Sequence, residues 1–255
     1  MERKELIRLF EDLRKRLIII TVVVFVFAVI SFTFSDYIRH LMLIPGDLAY
    51  SRFLGEGHEL QLIFLTPSEA LLANIRLAFI TSATVTLPII LYQLLAIVTT
   101  VVRMPRRSAL ILTLIMYVLF AMGIAFAYFV VLPFALNFFI GFSGPDLVPN
   151  FSFARYIAFI TSFVFSFGLV FQLPVLFWFL GSIGLVNTGF LRKNRKFALL
   201  IIVIFSAVLT PPDIFSQVLM AIPLMMLYEL GIFMVYLAWR KKARRITADT
   251  PEVQE

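Results

Sequence analysis

Long runs of apolar residues separated by short polar links dominate the chain. Six runs have the length or the setting of membrane helices: residues 17–35, 69–102, 109–140, 155–181, 197–209 and 214–239. The hydrocarbon core of a membrane is about 30 Å thick, and roughly 20 apolar residues of helix cross it. The pattern therefore predicts an all-α polytopic membrane protein with six transmembrane helices.

The composition agrees with this pattern and excludes a soluble domain. The 255 residues are 61% hydrophobic, 15% are charged, and the mean hydropathy is +0.98. The net charge of +7 does not indicate nucleic-acid binding, because the basic residues lie in short clusters between apolar runs, as topology signals do. Cysteine is absent, which excludes disulfides and thiolate metal sites. We predict a single integral membrane domain over residues 1–255.

The positions of the basic residues predict the orientation. Of the 22 arginines and lysines, 18 lie in the N-terminal tail, in the links after the second and fourth runs, and in the C-terminal tail. Positively charged links remain on the cytoplasmic side of a membrane. The tails at residues 1–16 and 240–255 are therefore both expected in the cytoplasm. The first outward link, residues 36–67, is expected to carry a short amphipathic helix, and residues 141–154 a cap of turns.

A tight turn at Leu209–Gln217 joins the last two runs. Its two adjacent prolines stop the incoming helix near Thr210, and Asp213 follows them as an N-cap for the outgoing helix. The fifth run has 13 residues, roughly 20 Å of helix, and is too short to cross a membrane. We expect short last two helices, with a locally thinned bilayer or with helix ends sheltered by protein.

Prolines interrupt four apolar runs, at Pro88, Pro133, Pro174 and Pro223. Each removes one helix hydrogen bond and is expected to bend its helix. Membrane helices also tolerate proline for packing reasons alone. We expect a curved, concave bundle of tilted helices.

Few polar residues lie within the apolar runs, and such residues are the default functional candidates. Glu69 begins the second run, where it either complements the helix dipole or has a functional role. Arg76 either snorkels outward or pairs with Glu69. Gln172, close to Pro174, is expected to bond a carbonyl that the proline frees. Glu229 either contacts a helix of another subunit or is satisfied by an internal hydrogen bond.

Five stretches carry a resemblance to a known family. They are Leu13–Leu17 (LRKRL), Leu65–Glu69 (LTPSE), Leu87–Gln93 (LPIILYQ), Phe126–Pro133 (FAYFVVLP), and Leu209–Gln217 continuing to Ala221–Pro223. In this order, with six spans and both ends inside, the chain resembles the TatC family, the multispanning core of the twin-arginine protein translocase. The resemblance runs nearly from end to end.

The resemblance implies a receptor for folded precursor proteins whose signal peptides carry paired arginines. It implies that the chain acts together with the single-span subunits TatA and TatB, in a homo- and hetero-oligomer. The expected location is the lipid bilayer of a bacterial or archaeal cytoplasmic membrane. The proton-motive force would drive export, and neither ATP nor a bound cofactor is expected. The sequence has no P-loop and no hydrolase motif, and His40 and His58 lack further ligands for a metal site.

The predicted signal-peptide site lies in the N-terminal tail and the first cytoplasmic link. Guanidinium groups pair with carboxylates, and Glu11 and Asp12 are the acidic candidates. In the family an acidic residue precedes the arginine of the Leu-Arg-x-Arg-Leu stretch by two positions, and Asp12, Arg14 and Arg16 match this pattern. A family glutamate in the link is replaced here by Arg106, which should repel the arginines of a ligand. Recognition then depends on Glu11 and Asp12, or the substrates differ.

The resemblance also predicts the contacts with partner helices. The family has a polar cluster at the outer ends of the last two helices, where Thr210 and Gln217 stand in this chain. The family often has a glutamate at the position of Gln172, and Glu229 is a further candidate for such a contact.

Two other classes of function stay open at this point. A secondary transporter of a small solute would use Glu69, Arg76 and Glu229 along its pathway. A membrane scaffold without a receptor site is the second alternative.

Overall fold

The computed structural model describes residues 3–54, 60, 62–102, 105–141, 151–209 and 214–249, and most of them are helical. The helices are α1 (Arg3–Thr33), α2 (Ser35–Leu54), α3 (Pro67–Val102), α4 (Arg106–Phe126), α5 (Leu132–Gly141), α6 (Phe153–Val170), α7 (Leu173–Ile183), α8 (Thr188–Lys193), α9 (Arg195–Leu209) and α10 (Ile214–Asp249). A π-helical segment, Ala127–Val131, joins α4 to α5. Two short parallel strands, β1 (Leu62–Ile63) and β2 (Phe151–Ser152), pair with each other.

The predicted all-α membrane fold is confirmed. Five helical stretches are long and apolar enough to cross a membrane: Phe10–Thr33, Pro67–Ile97, Arg107–Gly141, Phe153–Ile183 and Gln217–Arg240. They correspond to the first four predicted spans and the sixth. The fifth predicted span is α9, which has 15 residues, or about 22 Å of helix. This length is less than the thickness of a membrane core.

Only one of the last two helices is short. Helix α10 has 36 residues, and its apolar part, Gln217–Arg240, is long enough to cross a membrane. The prediction of two short helices is therefore wrong for α10. The basic stretch after Trp239 contains good helix formers and neither glycine nor proline, so nothing ends the helix at the predicted boundary. Thr210 and Asp213, in the turn before α10, lie outside the described residues.

Helix α1 begins far before its apolar part. It runs without a break from Arg3 to Thr33, over 31 residues, or about 46 Å. This exceeds the roughly 30 Å of a membrane core. The charged segment that was predicted as a tail is therefore the first part of this helix.

The prolines act in different ways. Helix α3 continues through Pro88, whereas Pro133 is the second residue of α5, separated by one residue from the π-helical segment. Pro174 stands in the first turn of α7, after a break between α6 and α7. Pro223 lies inside α10. The concave form of the bundle stays a prediction.

The chain divides into two compact units, Met1–Phe165 and Ser166–Glu255. In the first unit, α1 packs along α3 and α2 packs against α5. The buried hydroxyl of Ser82 on α3 donates a hydrogen bond of 2.6 Å to the backbone oxygen of Val24 on α1. Such hydrogen bonds between helices contribute to packing in membranes, where apolar contact alone gives little preference.

In the second unit, α10 packs along α7 and against α9. Gly231 of α10 lies directly against the ring of Phe177, and Gly181 of α7 lies against Val235. A Cβ atom at Gly231 would overlap with the ring. Small residues thus allow α7 and α10 to approach closely, as is common for helices in membranes.

Candidate functional site

The N-terminal part of α1 presents two exposed carboxylates. Glu11 and Asp12 are both exposed, as is Arg14. The ion pairs among the described side chains are Arg39–Asp36 and Arg195–Glu229. Within this part of the chain, the carboxylates of Glu11 and Asp12 therefore have no ionic partner.

Arg16 has a different role from its neighbours. Its Nη1 donates a hydrogen bond of 2.8 Å to Oε1 of Gln93, on α3. Because Arg16 follows Asp12 by four residues, the two side chains stand on the same helix face and are spaced for an ion pair. The bond to Gln93 instead ties α1 to α3, so that Arg16 does not form this ion pair with Asp12.

An open apolar groove of about 440 Å³ follows the same helix. It begins at Phe10 and Arg14 and continues past Leu17 to Val22, and neither Glu11 nor Asp12 is among its lining residues. This end of α1 thus carries two exposed carboxylates and, on a different face of the same helix turn, an apolar surface. A ligand with basic residues followed by an apolar segment matches this arrangement.

The predicted second element of this site lies at the start of α4. Helix α4 begins at Arg106, directly after Pro105, which has the extended conformation that precedes many helices (φ −66°, ψ 144°). The side chain of Arg106 lies outside the described part of the chain. The neighbouring Arg107 is exposed.

Glu69 occupies the opposite end of the first unit and is fully engaged in hydrogen bonds. Its Oε2 accepts from the backbone N–H of Leu65 at 2.7 Å. Its Oε1 accepts from the hydroxyl of Ser152 and from the backbone N–H of Ala154, the latter at 3.1 Å. Glu69 therefore holds the residues before α3 to those that begin α6. This favours the structural interpretation of Glu69 over a role in binding.

Arg76 does not pair with Glu69. Its Nη2 donates a hydrogen bond of 2.6 Å to the hydroxyl of Ser162, on α6, and the side chain is exposed. Seven residues separate Arg76 from Glu69, about 10 Å along the helix, and both oxygens of Glu69 are already occupied. Of the two predicted alternatives for Arg76, pairing with Glu69 is wrong.

Gln172 bonds a carbonyl at the break between α6 and α7, but it is the carbonyl of Gly168. It is not the one that Pro174 frees, which belongs to Val170 four residues before the proline. The Nε2 of Gln172 donates to the backbone oxygen of Gly168 at 3.4 Å. The backbone N–H of Gln172 bonds to Leu169 instead, so the turn tightens there and the Gly168 carbonyl loses its usual helical donor.

Glu229 forms an ion pair inside the second unit. Its Oε2 lies 2.7 Å from Nη2 of Arg195, at the start of α9, and the two side chains are 42% and 47% exposed. This supports the alternative in which Glu229 is satisfied internally. Sequence reasoning missed Arg195 as a partner, because 34 residues separate it from Glu229 and it was counted only as a topology signal.

Gln217 connects the two helices of the last hairpin. Its Nε2 donates a hydrogen bond of 3.1 Å from α10 to the backbone oxygen of Val203 on α9, and the side chain is half-buried. The side-chain amide of Gln217, one of the predicted partner contacts, therefore forms a hydrogen bond within the hairpin.

The comparison with known families agrees with the motifs of the sequence. The family model "Sec-independent protein translocase protein (TatC)" matches residues 8–223. This chain belongs to the TatC family. Members of the family are protein translocase components, so the chain is a membrane protein of protein transport. The family match favours this function over a transporter of small solutes.

Relatives in the family match the chain over most of its length. TatC of Carboxydothermus hydrogenoformans is 35% identical over 225 residues, covering 88% of this chain and 89% of that protein. TatC of Aquifex aeolicus is 35% identical over 234 residues, covering 91% of this chain and 94% of that protein. A crystal structure of the twin arginine translocase receptor TatC is 33% identical, has a TM-score of 0.81, and covers 90% of this chain and 99% of that one. The sequence relatives thus show the family, and the structural match shows the fold.

Two further residues that bond to the predicted site residues were not identified from the sequence. Gln93 lies in a family stretch but gave no signal of its bond to Arg16. Ser152 lies just after the predicted cap of turns, of which residues 142–150 lie outside the described residues, and nothing in the sequence connects it to Glu69. A hydroxyl or amide that serves a distant partner has no local pattern, because the partner is chosen by packing.

Proposed function

We propose that this chain is the core receptor of a twin-arginine translocase, which binds the signal peptides of folded precursor proteins at Glu11 and Asp12. The observation that carries this proposal is the pair of exposed carboxylates, without ionic partners among the described side chains, in the helix turn of α1 at which the apolar groove begins. In this role the chain assembles TatA and TatB for export driven by the proton-motive force. It carries out no catalysis and needs no cofactor.

The chemistry of a signal peptide fits this end of α1. Such peptides have a basic segment followed by an apolar segment of 7–15 residues. The arginines of the basic segment would donate to Asp12 and Glu11, since guanidinium groups form paired hydrogen bonds with carboxylates. The apolar segment would then follow the groove from Leu13 toward Val22.

The basic residues of the site have separate tasks in this proposal. Arg14 lines the groove beside the carboxylates and favours acidic or polar groups of the ligand. Arg16 positions α1 against α3 through Gln93. Arg106 stands where the family resemblance implies a glutamate, so it supplies no acceptor for the signal arginines. Recognition therefore depends on Glu11 and Asp12.

The hairpin of α9 and α10 is the proposed contact for the helices of TatA and TatB. Its first helix, α9, is shorter than the thickness of a membrane core. The turn after α9 would therefore lie at a depth where a partner helix can reach the polar residues of the turn. Gln217 and Thr210 would offer these contacts, with Gln172 and Glu229 as further polar positions on the same unit. Hydrogen bonds of this kind average under about 2 kcal/mol in membranes.

The proposed location is the cytoplasmic membrane of a bacterium or an archaeon. The positive-inside rule places the N-terminus of α1 and the C-terminal end of α10 in the cytoplasm. In that orientation the carboxylates of Glu11 and Asp12 face the compartment in which precursors fold. The whole chain, with residues 1–16 and 240–255 as its cytoplasmic ends, would act as one integral membrane domain.

The function is tested by export of a folded reporter in a bacterium that lacks its own TatC. The chain should restore export of a reporter with paired arginines and not of one with paired lysines. Glu11→Ala combined with Asp12→Ala should abolish both export and crosslinking of the precursor. Asp36→Asn, which also removes an exposed carboxylate of the first unit, is the matched control and should leave both unchanged. Undiminished crosslinking in the double variant would refute the proposed site.

A further inference from the structure

A second cleft lies in the first unit, at the end remote from Glu11. It has a volume of about 320 Å³ and lies between α2 on one side and the π-helical segment with α5 on the other. Most of its lining is apolar, including Leu48, Val130 and Phe134, and Arg52 and Asn137 supply polar groups. A volume of this size is at the lower end of the range for small-molecule sites.

A hydrogen bond to a carbonyl that Pro45 leaves without a helical donor holds α2 at this cleft. Pro45 has no N–H, so the carbonyl of Leu41, four residues earlier, lacks its helical donor. The hydroxyl of Tyr128, in the π-helical segment, donates to that carbonyl at 2.6 Å. Two elements that form opposite walls of the cleft are thus joined by one hydrogen bond.

A second tyrosine holds the same turn of α2. The hydroxyl of Tyr156 donates to the backbone oxygen of Met42 at 3.2 Å. This approach requires Gly46, since a Cβ atom there would overlap with the Tyr156 hydroxyl and with Leu60. The walls of the cleft are therefore positioned by specific contacts.

The π-helical segment turns apolar side chains outward into the cleft. Phe129 and Val130 are 73% and 41% exposed, and both line the cleft. Segments of π-helix inside α-helices are frequent at functional sites. Here the segment lies within the apolar stretch Arg107–Gly141, where the exposed surface faces hydrocarbon.

The charged group in the described lining of this cleft is the guanidinium of Arg52. Arg52 is exposed and lines the cleft, and it forms neither an ion pair nor a hydrogen bond with the described side chains. Arg39, on the same helix, differs because it pairs with Asp36 at 2.8 Å. An apolar cleft with a guanidinium that has no ionic partner among the described side chains is complementary to an anion that carries a hydrocarbon chain.

We propose that this cleft binds one anionic glycerophospholipid, with the phosphate at Arg52 and an acyl chain along Leu48, Val130 and Phe134. The lipid would seal α2 onto the bundle in the leaflet opposite to the N-terminus of α1. This inference does not depend on signal-peptide binding. Variants in the cleft are therefore expected to leave the affinity for a twin-arginine peptide unchanged.

The test measures lipids that remain bound to the purified full chain by native mass spectrometry. The chain is supplied with phosphatidylglycerol and phosphatidylcholine that have the same acyl chains. The wild type should retain phosphatidylglycerol preferentially, and Arg52→Gln should lower this preference about fivefold, the value of one basic group near a lipid surface. Arg39→Gln is the matched control and should not change it. Equal retention of both lipids by the wild type, or an equal loss in both variants, would overturn the proposal.

Two further measurements separate the cleft from other surfaces and from other anions. Val130→Trp fills the apolar wall and should lower the retention of both lipids, while undiminished retention would exclude the cleft. Glycerol phosphate in excess should not displace the lipid, because it has no acyl chain; displacement would identify a soluble anion as the ligand instead. A photoactivatable phosphatidylglycerol should crosslink to α2 and to residues 128–137, and crosslinks confined to other helices would refute the site even if a variant fails to fold.

Discussion

The two ends of the first unit use carboxylates in opposite ways. At one end, Glu69 accepts three hydrogen bonds through both of its oxygens, from Leu65, Ser152 and Ala154. At the other end, Glu11 and Asp12 are exposed on α1 and have no ionic partner among the described side chains. The carboxylate of Glu69 thus connects segments of the fold, whereas those of Glu11 and Asp12 form no ion pair with the described side chains.

This difference separates structural carboxylates from candidate binding groups. A carboxylate that already accepts three hydrogen bonds has about one of its four acceptor positions left, so it cannot form paired hydrogen bonds with a guanidinium without releasing a donor. A carboxylate in water with open positions can do so at little cost. The distinction depends on the partners of each group and not on its distance from the membrane. By this criterion Glu69 belongs to the fold, and Glu11 and Asp12 are the proposed binding groups.

The largest effect is expected from removing both open carboxylates. Glu11→Gln combined with Asp12→Asn should weaken binding of a twin-arginine signal peptide about 30-fold. An exposed ion pair contributes up to about 1 kcal/mol, and 1.4 kcal/mol is a factor of ten. The affinity is measured by fluorescence anisotropy of a labelled peptide on the detergent-purified chain. The thermal unfolding midpoint should stay at the wild-type value, and a large fall in that midpoint would assign these two carboxylates to the fold.

The converse result is expected for Glu69→Gln. An amide has one oxygen, whereas Glu69 uses both of its oxygens as acceptors, so the new NH₂ group must face a donor in either orientation. The variant should lower the thermal unfolding midpoint more than the other carboxylate substitutions described here, with peptide affinity unchanged. Ser152→Ala, which removes one donor and keeps the carboxylate, is the matched control and should have a smaller effect. Wild-type stability of Glu69→Gln would break the comparison.

Glu229 tests whether an ion-paired carboxylate behaves like Glu69 or like Glu11. The substitutions Glu229→Gln and Arg195→Gln, made singly and together, form a double-mutant cycle. We expect a coupling of about 0.6 kcal/mol in the free energy of unfolding, which is typical for polar contacts in membranes. Crosslinking to TatA or TatB is recorded in parallel. Lost crosslinking without lost stability would move Glu229 into the class of binding groups.

The smallest effect is expected from Gln93→Leu, which leaves the carboxylates in place. Without Gln93, Arg16 is released and can pair with Asp12 one turn away, a contact worth about 0.3–0.5 kcal/mol. The peptide should bind about twofold more weakly in the same anisotropy measurement. Adding Arg16→Gln removes the competing cation and should restore the affinity. A twofold loss that the second substitution fails to restore would show that Gln93 acts in another way.

Much of the fold could be predicted from the pattern of apolar residues. Runs of sufficient length must be helical in a membrane, because a helix satisfies every backbone hydrogen bond internally. This reasoning identified the spans and the short α9. It did not predict how far a helix continues beyond its span where no residue stops it: α1 begins at Arg3, and α10 continues to Asp249. The charged residues at these ends are good helix formers, so a change from apolar to polar marks the membrane surface and not the end of the helix.

The candidate site was predictable in part. Glu11 and Asp12 followed from the chemistry that a guanidinium ligand requires and from the Leu13–Leu17 stretch. Whether those carboxylates are open was not predictable, because this depends on where Arg16 points. The bond to Gln93 joins positions 77 residues apart. Contacts between helices of such separation leave no periodic signal in the sequence.

The sequence by itself determined the class of the protein, its apolar spans and its family. These properties are local or additive, since hydropathy, helix length and short motifs are each contained in one stretch of chain. The tertiary structure alone decided which polar groups are satisfied: Glu69 by Ser152, Glu229 by Arg195, and the Leu41 carbonyl by Tyr128. A hydrogen bond requires two groups to meet within about 3 Å. Only the packing of the helices brings such distant residues together.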